Sequence, residues 1–257
     1  MRLCVAFAVV TLAGCDLVFK VEVPPGQCAG VGPFISPQVL PGIPGDTLFD
    51  PALPADRREV VFTQLTATNS FDLFIASRES EAGDFGAIQP LPFNTTASED
   101  DGSFTADGLN LLYESGDQLF EAVRDNRADA FAVAVAHVDV PDIGQGFDIT
   151  ADGLTLYYND GSLFVVRRPT RVSPFGLPKN LGPERPWPSI SHDELELFFD
   201  SDGQIWRLTR ETASDLFDGI PEQIFAGGDP DISDSNQELT FKPATQQGLA
   251  FAERACE

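Results

Sequence analysis

The sequence predicts an all-β protein, a five-bladed β-propeller built from four-stranded antiparallel blades. Two internal regularities indicate this fold: a segment that recurs five times, and a fixed spacing between arginine and phenylalanine within the repeats. The composition agrees with both, because 21 Phe, 22 Gly and 20 Pro among 257 residues suit short aromatic strands joined by many turns. With 42% apolar residues, the chain can also bury a core.

The first recurring segment is a strand, a tight turn and a second strand that closes with an aromatic residue. The closing aromatic stands at residues 62, 113, 158, 199 and 241, in steps of 51, 45, 41 and 42. Steps of this length match one four-stranded blade, with repeats that begin at about residues 49, 101, 146, 187 and 229. In four repeats the turn carries an aspartate that we expect to accept turn amides: Asp56, Asp107, Asp152 and Asp193.

The rest of each repeat is marked by arginine and phenylalanine. A strand that ends in arginine is followed, seven residues later, by a phenylalanine in all four complete repeats. The pairs are Arg78 with Phe85, Arg124 with Phe131, Arg168 with Phe175 and Arg210 with Phe217. We expect these arginines to bond carbonyl groups or acids in the loops between strands, rather than to form a ring that reads a ligand.

The first fifteen residues have the pattern of an export signal. After Met1-Arg2, an apolar run too short to span a membrane ends in Leu12-Ala13-Gly14-Cys15, which resembles the lipobox of bacterial lipoproteins. The resemblance implies that Cys15 carries a diacylglycerol and that the leader is cut before it. It predicts a signal peptide over 1–14, a lipidated cysteine and tether over 15–27, and the propeller over 28–257. An ordinary secretory signal with a chance cysteine is the alternative. The expected location is the bacterial cell envelope, with the leaflet left open.

The two ends of the chain are predicted to complete one blade together. The fifth repeat ends at Arg254 without a following phenylalanine segment, and residues 34–40 form a phenylalanine segment without a preceding arginine strand. We expect this N-terminal strand to be the outer edge of the last blade, because a closed ring leaves no open sheet edge. Cys28 and Cys256 then fall in the same missing connection. Since Cys4 leaves with the leader and Cys15 is acylated, we expect a Cys28–Cys256 disulfide.

The repeats resemble a known type. Segments such as Phe147 to Tyr158, followed by Leu163-Phe164, are similar to the TolB-type, WD-like propeller repeat, and the resemblance covers residues 34 to 256. The usual TolB domain has six blades, whereas five repeats are present here. Such propellers serve both as binding platforms and as enzyme domains, so the resemblance implies a fold and no single function.

The charge excludes several classes of partner. With 40 acids against 16 bases and a net charge of −24, the chain repels phosphate backbones and anionic headgroups, so we expect no nucleic acid and no direct membrane adsorption. Cations, basic proteins and neutral glycans stay open. His137 and His192 are the only histidines, and neither stands in the pattern of a metal cluster or a Ser-His-Asp triad.

Aligned acids form the one candidate site. Asp50, Asp101 and Asp229 share a position just before the innermost strand, where the fourth repeat has Trp187. Asp148 and Asp231 share the position two residues later. The five carboxylates could meet at one channel mouth and hold Ca²⁺, or cleave glycosides, or be solvated loop acids. No other cofactor is expected.

Two functions therefore remain. The first is a lipid-anchored, non-catalytic binding or scaffold module of the envelope, expected to be a monomer, that recognises a protein or glycan through the propeller loops. The alternative is an envelope hydrolase acting on glycans, with Asp50, Asp101, Asp148, Asp229 and Asp231 as the pool of catalytic acids. An open pocket with two carboxyls roughly 5–10 Å apart would favour the hydrolase, and a filled channel would favour the module.

Overall fold

The computed structural model describes residues 31–256 apart from residues 46, 68, 69, 133, 141 and 142. The predicted signal peptide, Cys15, the tether and Cys28 lie outside the described residues. All regular structure in the described part is β-strand, as the sequence predicts. Within it, no helix is long and apolar enough to cross a membrane.

The strands form antiparallel sheets that follow the sequence repeats. Two short N-terminal strands, β1 (Val31–Phe34) and β2 (Gln38–Val39), come first. Three separate four-stranded sheets follow, each from one repeat. The first comprises β3 (Leu48–Ala52), β4 (Glu59–Leu65), β5 (Phe71–Ser77) and β6 (Gln89–Pro90). The second comprises β7 (Glu99–Phe104), β8 (Asn110–Ser115), β9 (Gln118–Val123) and β10 (Val135–Ala136). The third comprises β11 (Phe147–Ile149), β12 (Thr155–Asn159), β13 (Ser162–Arg167) and β14 (Lys179–Pro183).

The fourth and fifth repeats share one eight-stranded sheet. It contains β15 (Ser189–Ile190), β16 (Glu196–Ser201), β17 (Gln204–Thr209), β18 (Glu222–Ile232), β19 (Glu238–Pro243), β20 (Ala250–Cys256), β1 and β2. The first half of β18 pairs with β17 and the second half with β19, so one strand passes from the fourth repeat into the fifth. Gly227 permits this, because its φ is 156° and a Cβ would collide with the carbonyl oxygen of Lys242.

The N-terminal strand differs in detail from the prediction. Instead of one strand over 34–40, the structure has β1 and β2, and both pair antiparallel with β20. The interruption follows from Pro33 and Pro37, which have no N–H to donate to a ladder. The backbone of Val31 pairs with that of Cys256, and Phe34 pairs with Arg254.

The seven-residue spacing of arginine and phenylalanine is a stacking interaction. In repeats one to four the guanidinium carbon lies 4.3, 4.4, 4.6 and 4.3 Å from the centroid of the paired ring. In the fifth repeat Arg254 lies 4.4 Å from the ring of Phe34, which reaches it from the other end of the chain. Each pair is a buried cation–π contact.

The same arginines bond carbonyl groups, as predicted. Arg168 Nε donates to the carbonyl oxygen of Gly153 at 2.7 Å, and Arg124 Nε donates to that of Gly108 at 2.9 Å. Three of the five also pair with an acid of the preceding repeat: Arg124 with Glu59, Arg168 with Glu121 and Arg254 with Glu196. These three arginines therefore link neighbouring repeats.

The turn aspartates have the predicted role. Asp56, Asp107, Asp152 and Asp193 each accept a backbone N–H two residues later, at 2.9–3.1 Å. All five closing aromatics are buried, three of them fully, and they pack in the clusters between sheets. One cluster joins Phe62 of the first repeat to Leu249 of the last, so the first and last repeats pack against each other.

Candidate functional site

The first strand of each repeat begins at what we call the mouth end, where the turns between second and third strands also lie. The opposite, base end carries the turns between first and second strands and the connections between third and fourth strands. One residue within or just before the first strand has a positive φ in all five repeats. These residues are Asp50 (45°), Asp101 (50°), Gly146 (79°), Trp187 (46°) and Asp229 (52°).

This backbone conformation gives a local reason for the recurring acids. Aspartate tolerates the left-handed region better than most residues, because its short side chain can accept local backbone hydrogen bonds. The pairing register shifts at the same place in the first, second and fifth repeats, so the strand is bulged there. The alignment of Asp50, Asp101 and Asp229 therefore reflects backbone geometry as well as any site that they form.

The structure brings the five predicted acids together around one small cavity. Asp50, Asp101, Asp148, Asp229 and Asp231 all line it, together with Trp187. Its volume is about 30 Å³, which is space for about one water molecule. The channel at the mouth end is therefore nearly filled, and a sugar ring does not fit inside it.

The five acids line this cavity from two positions on the first strands. Asp148 and Asp231 are the deeper pair, and each accepts a backbone N–H from the following repeat. Ile190 N donates to Asp148 Oδ2 at 2.8 Å, and Leu53 N donates to Asp231 Oδ2 at 3.1 Å. Burial raises the pKa of Asp148 to about 6, although the hydrogen bonds that Asp148 itself accepts lower it. Asp148 and Asp231 thus line the same cavity as the other three acids, two residues further along the first strand.

Serine takes the same position in two further repeats. Ile149 N donates to Ser103 Oγ at 3.1 Å, and Ile232 N donates to Ser189 Oγ at 2.9 Å. Ser103 Oγ in turn donates to Asp148 Oδ1 at 2.6 Å. Side-chain oxygens thus link four pairs of successive first strands, including the last to the first. The remaining equivalent residue is Ala52, which has no such oxygen.

The other three acids, Asp50, Asp101 and Asp229, are called the upper acids below, and they are not solvated loop residues. Burial raises the pKa of Asp101 and of Asp229 well above the ordinary aspartate range, and nearby Asp50 raises both further. Burial also raises the pKa of Asp50, against the effect of hydrogen bonds from Asp101 and Thr63 and of the Lys242 charge. Only 9% of Asp229 is exposed, and its carboxyl accepts the backbone N–H of Asp50.

Two further acids join this cluster, and the sequence did not predict them. Among the described residues, Asp100, Asp101 and Glu114 are the one set of three whose ligand atoms lie within 4.8 Å of one another. Burial and neighbouring negative charges raise the pKa of Asp100 to about 7 and that of Glu114 to about 8. Calcium binding by the five aligned acids stays a prediction, since only Asp101 of the five belongs to this set.

Cations are distributed unevenly between the two ends. The seven acids around the cavity are called the mouth cluster: Asp50, Asp100, Asp101, Glu114, Asp148, Asp229 and Asp231. No ion pair within 4.0 Å in the described part of the chain involves an acid of this cluster. At the base end, turn acids are paired between repeats: Asp107 with Arg171 at 2.6 Å, and Asp56 with Arg127 at 3.1 Å. The charge of Lys242 partly opposes the rise in the pKa of Asp50 and of Asp229. Its Nζ lies 3.4 Å from the ring centroid of Phe49.

Comparison with solved structures shows which fold this is. TolB from Acinetobacter baumannii superposes with a TM-score of 0.53 at 12% identity, over 82% of this chain and 55% of that one. An α-L-arabinofuranosidase from Podospora anserina gives 0.57 at 12% identity, over 88% and 96%. The catalytic domain of a Coprinopsis cinerea GH62 α-L-arabinofuranosidase gives 0.53 at 13% identity, over 88% and 99%. The chain has a β-propeller fold.

The comparisons stop at the fold. No protein-family profile matches this propeller, and no curated protein matches its sequence. The chain spans about half the length of the Acinetobacter TolB protein. The neighbours include a TolB protein and α-L-arabinofuranosidases, and at 12–13% identity they show the fold alone.

Trp187 lies at the propeller mouth in a conformation that depends on its neighbour. It is half-buried, and a Cβ on Gly146, the equivalent residue of the third repeat, would lie 2.8 Å from Trp187 Cα. Glycine at 146 therefore makes room for tryptophan at 187. The indole lines the same cavity as the upper acids, so packing at the mouth is its observed role.

The raised pKa values at the mouth predict that the propeller becomes less stable as the pH rises. The folded state keeps protons on Asp100 and Glu114 at pH values where the unfolded chain has released them. Stability therefore falls from the ordinary carboxyl range up to about pH 8. We expect the melting temperature to drop by about 5 °C between pH 5 and pH 8. Asp100→Asn with Glu114→Gln should reduce this dependence, although the other buried acids keep part of it. The control is Asp218→Asn at the base end, and an unchanged profile in the double variant would contradict the assignment.

Proposed function

We propose that this chain is a lipid-anchored, non-catalytic binding module of the bacterial cell envelope, which recognises its partner through the loops at the propeller mouth. One observation supports it above the others. The carboxylates that a hydrolase would use surround a cavity of only about 30 Å³. Asp148 and Asp231 are already hydrogen-bonded to backbone amides of the neighbouring repeat.

The proposal includes five blades closed into one ring. The eight-stranded sheet divides into two four-stranded halves at Gly227, and β1 and β2 supply the outer edge of the second half. Support for closure comes from three contacts between the ends of the chain. These are the hydrogen bond from Leu53 N to Asp231, the stacking of Arg254 on Phe34, and the ion pair between Arg57 and Glu238.

The mouth end fits a partner with basic groups. Besides the buried cluster, it presents exposed aspartates in the turns between second and third strands: Asp117, Asp160 and Asp202. With few cations there to neutralise them, these acids favour association with a positively charged protein surface. We therefore propose a basic envelope protein as the partner, ahead of a neutral glycan.

Charge reversal at the two ends tests this function. We expect the triple variant Asp117→Lys, Asp160→Lys and Asp202→Lys to bind the envelope protein captured by the unaltered chain at least about tenfold more weakly. The matched control is Asp84→Lys, Asp129→Lys and Asp218→Lys, which changes the charge equally at the base end. Quantitative capture from envelope extracts at two salt concentrations measures both. Equal loss in the two variants, or no loss in either, would argue against recognition at the mouth.

The glycan hydrolase is the second candidate, because α-L-arabinofuranosidases share the fold. A hydrolase needs an acid and a second carboxylate with room for a sugar between them. The purified chain incubated with arabinose-bearing xylo-oligosaccharides distinguishes the two functions. Release of arabinose that disappears in Asp101→Asn and Asp229→Asn would replace the binding module by the enzyme.

Lipidation has its own test. Cys15→Ser should move the chain from the membrane fraction to the soluble fraction, because the acyl chains would be absent. Fractionation with detection of the chain, and mass spectrometry of the N-terminal peptide, measure this. A variant that stays in the membrane fraction, together with an unaltered chain that carries no acyl mass, would show that the location is wrong.

A further inference from the structure

One segment of this acidic chain is free of acids. Residues 161–183 contain Arg167, Arg168, Arg171 and Lys179 and no aspartate or glutamate, although the whole chain has 40 acids. Arg168 is buried on Phe175, and Arg167 and Arg171 pair with acids of neighbouring repeats. Lys179 is exposed and forms no ion pair within 4.0 Å in the described part of the chain.

The same segment exposes two aliphatic side chains almost completely. Val172 is 97% exposed and Leu177 is 94% exposed. Pro169, Pro174 and Pro178 restrict the backbone around them, and the ring of Phe175 anchors the loop beneath Arg168. These two side chains are thus presented to solvent by a stiff loop rather than by a frayed end. In the equivalent connection of the fourth repeat, Ile220 is also almost fully exposed.

The connection lies at the end of the propeller where the N-terminal segment arrives. Residues 168–178 join β13 to β14 at the base end. Strand β20 runs from the mouth end to the base end, and the backbone of Val31 pairs with that of Cys256 at its far end. The chain that precedes residue 31 therefore enters at the base end, on the same side as Val172 and Leu177.

We propose that the connection 168–178 rests on the lipid bilayer surface and orients the propeller with its mouth away from the membrane. This inference rests on the lipid anchor of the proposed function. Exposed aliphatic side chains gain by entering the headgroup boundary, and Lys179 is attracted to anionic headgroups. The net charge of −24 and the exposed acids of the equivalent connections, such as Asp84, Asp129 and Asp218, repel such a surface. The acid-free connection is therefore the part of the tethered end that can approach the bilayer.

Tryptophan placed in the loop tests the contact. The full-length acylated chain is incorporated in vesicles of phosphatidylethanolamine and phosphatidylglycerol, as Leu177→Trp and, separately, as Val172→Trp. The matched control is Val138→Trp, because Val138 is 83% exposed but lies in the connection from β10 to β11, which leads to the mouth end. We expect a blue shift of the added emission and quenching by brominated lipid for the two loop variants, and neither for the control. The signal of Trp187 and Trp206 is subtracted with the unaltered chain.

Two measurements on one sample separate the ways in which the proposal could fail. If the acyl mass is present and the loop variants keep a water-like emission, the contact is wrong while the anchor stands. Equal shifts in Leu177→Trp and Val138→Trp would overturn the orientation. Absence of the acyl mass would instead overturn the anchor of the proposed function, and this orientation with it.

Discussion

Replacing Arg168 by methionine will lower the free energy of unfolding by about 3–5 kcal/mol, because it leaves the carboxylate of Glu121 buried without its cation. The Arg168 side chain is 0% exposed, and its two Nη atoms donate to Glu121 at 2.7 and 3.0 Å. Burial opposes ionisation of Glu121, but hydrogen bonds from His137 and Arg168 outweigh it and hold its pKa at about 2. Methionine keeps the contact with Phe175 and removes only the charge and its bonds.

The neighbouring residue provides the control for this prediction. Arg167 forms an ion pair with Glu194 at 2.8 Å, but its side chain is 54% exposed. Such a pair contributes less than about 1 kcal/mol, so Arg167→Met should cost little. Urea unfolding of both variants measures the difference, and the melting temperature of Arg168→Met should fall by roughly 10 °C. If the two variants lose the same stability, the repeated arginines are not the link between sheets that their contacts indicate.

A disulfide between Cys28 and Cys256 is expected to join the two ends of the proposed ring. Phe34 completes the fifth arginine–phenylalanine pair, so the connection that is missing between them is the one in which both cysteines fall. The backbone of Cys256 pairs with Val31, three residues after Cys28. Because the bond closes a loop of nearly the whole mature chain, Cys28→Ser with Cys256→Ser should cost up to about 5 kcal/mol in the chain-entropy description.

Peptide mapping without reducing agent decides the pairing directly. A cross-linked peptide that contains both cysteines is expected from protein isolated from the envelope. Recovery of the two thiols free would contradict the bond and remove one support for the closed five-bladed ring. Unfolding of the double variant in reducing and non-reducing buffer separates the effect of the bond from that of the substitutions.

The repeats could be predicted from the sequence because each repeated feature is local. The spacing of Arg124 and Phe131 records one stacked pair, and Asp107 caps a turn two residues away. Such features repeat with the chain, so an alignment of five segments is enough to find them. Pairing of Phe34 with Arg254 followed from the same rule, applied across the two ends.

The environment of the acids could not be predicted in the same way. Asp229 and Asp231 differ by two residues, and the bulge between them gives the two acids different partners: Asp229 accepts the backbone N–H of Asp50, and Asp231 accepts that of Leu53. Glu114 belongs to the second strand and comes close to Asp101 only when the sheet forms. The sequence also did not predict that β18 continues from the fourth repeat into the fifth, because Gly227-Gly228 indicates a break in a strand rather than its continuation.

The pairing of β1 with β20 has a consequence for how the chain acquires its structure. The earliest described strand to be synthesised finds its partner only when the last strand has appeared, more than two hundred residues later. Contacts between such distant residues are slow to form, because the entropy of closing the loop must be lost before they stabilise the chain. Repeats one to three can assemble their own sheets as they emerge, whereas the fifth must wait. During that interval β1 has no partner strand, so the step most open to aggregation is the late pairing of β1 with β20.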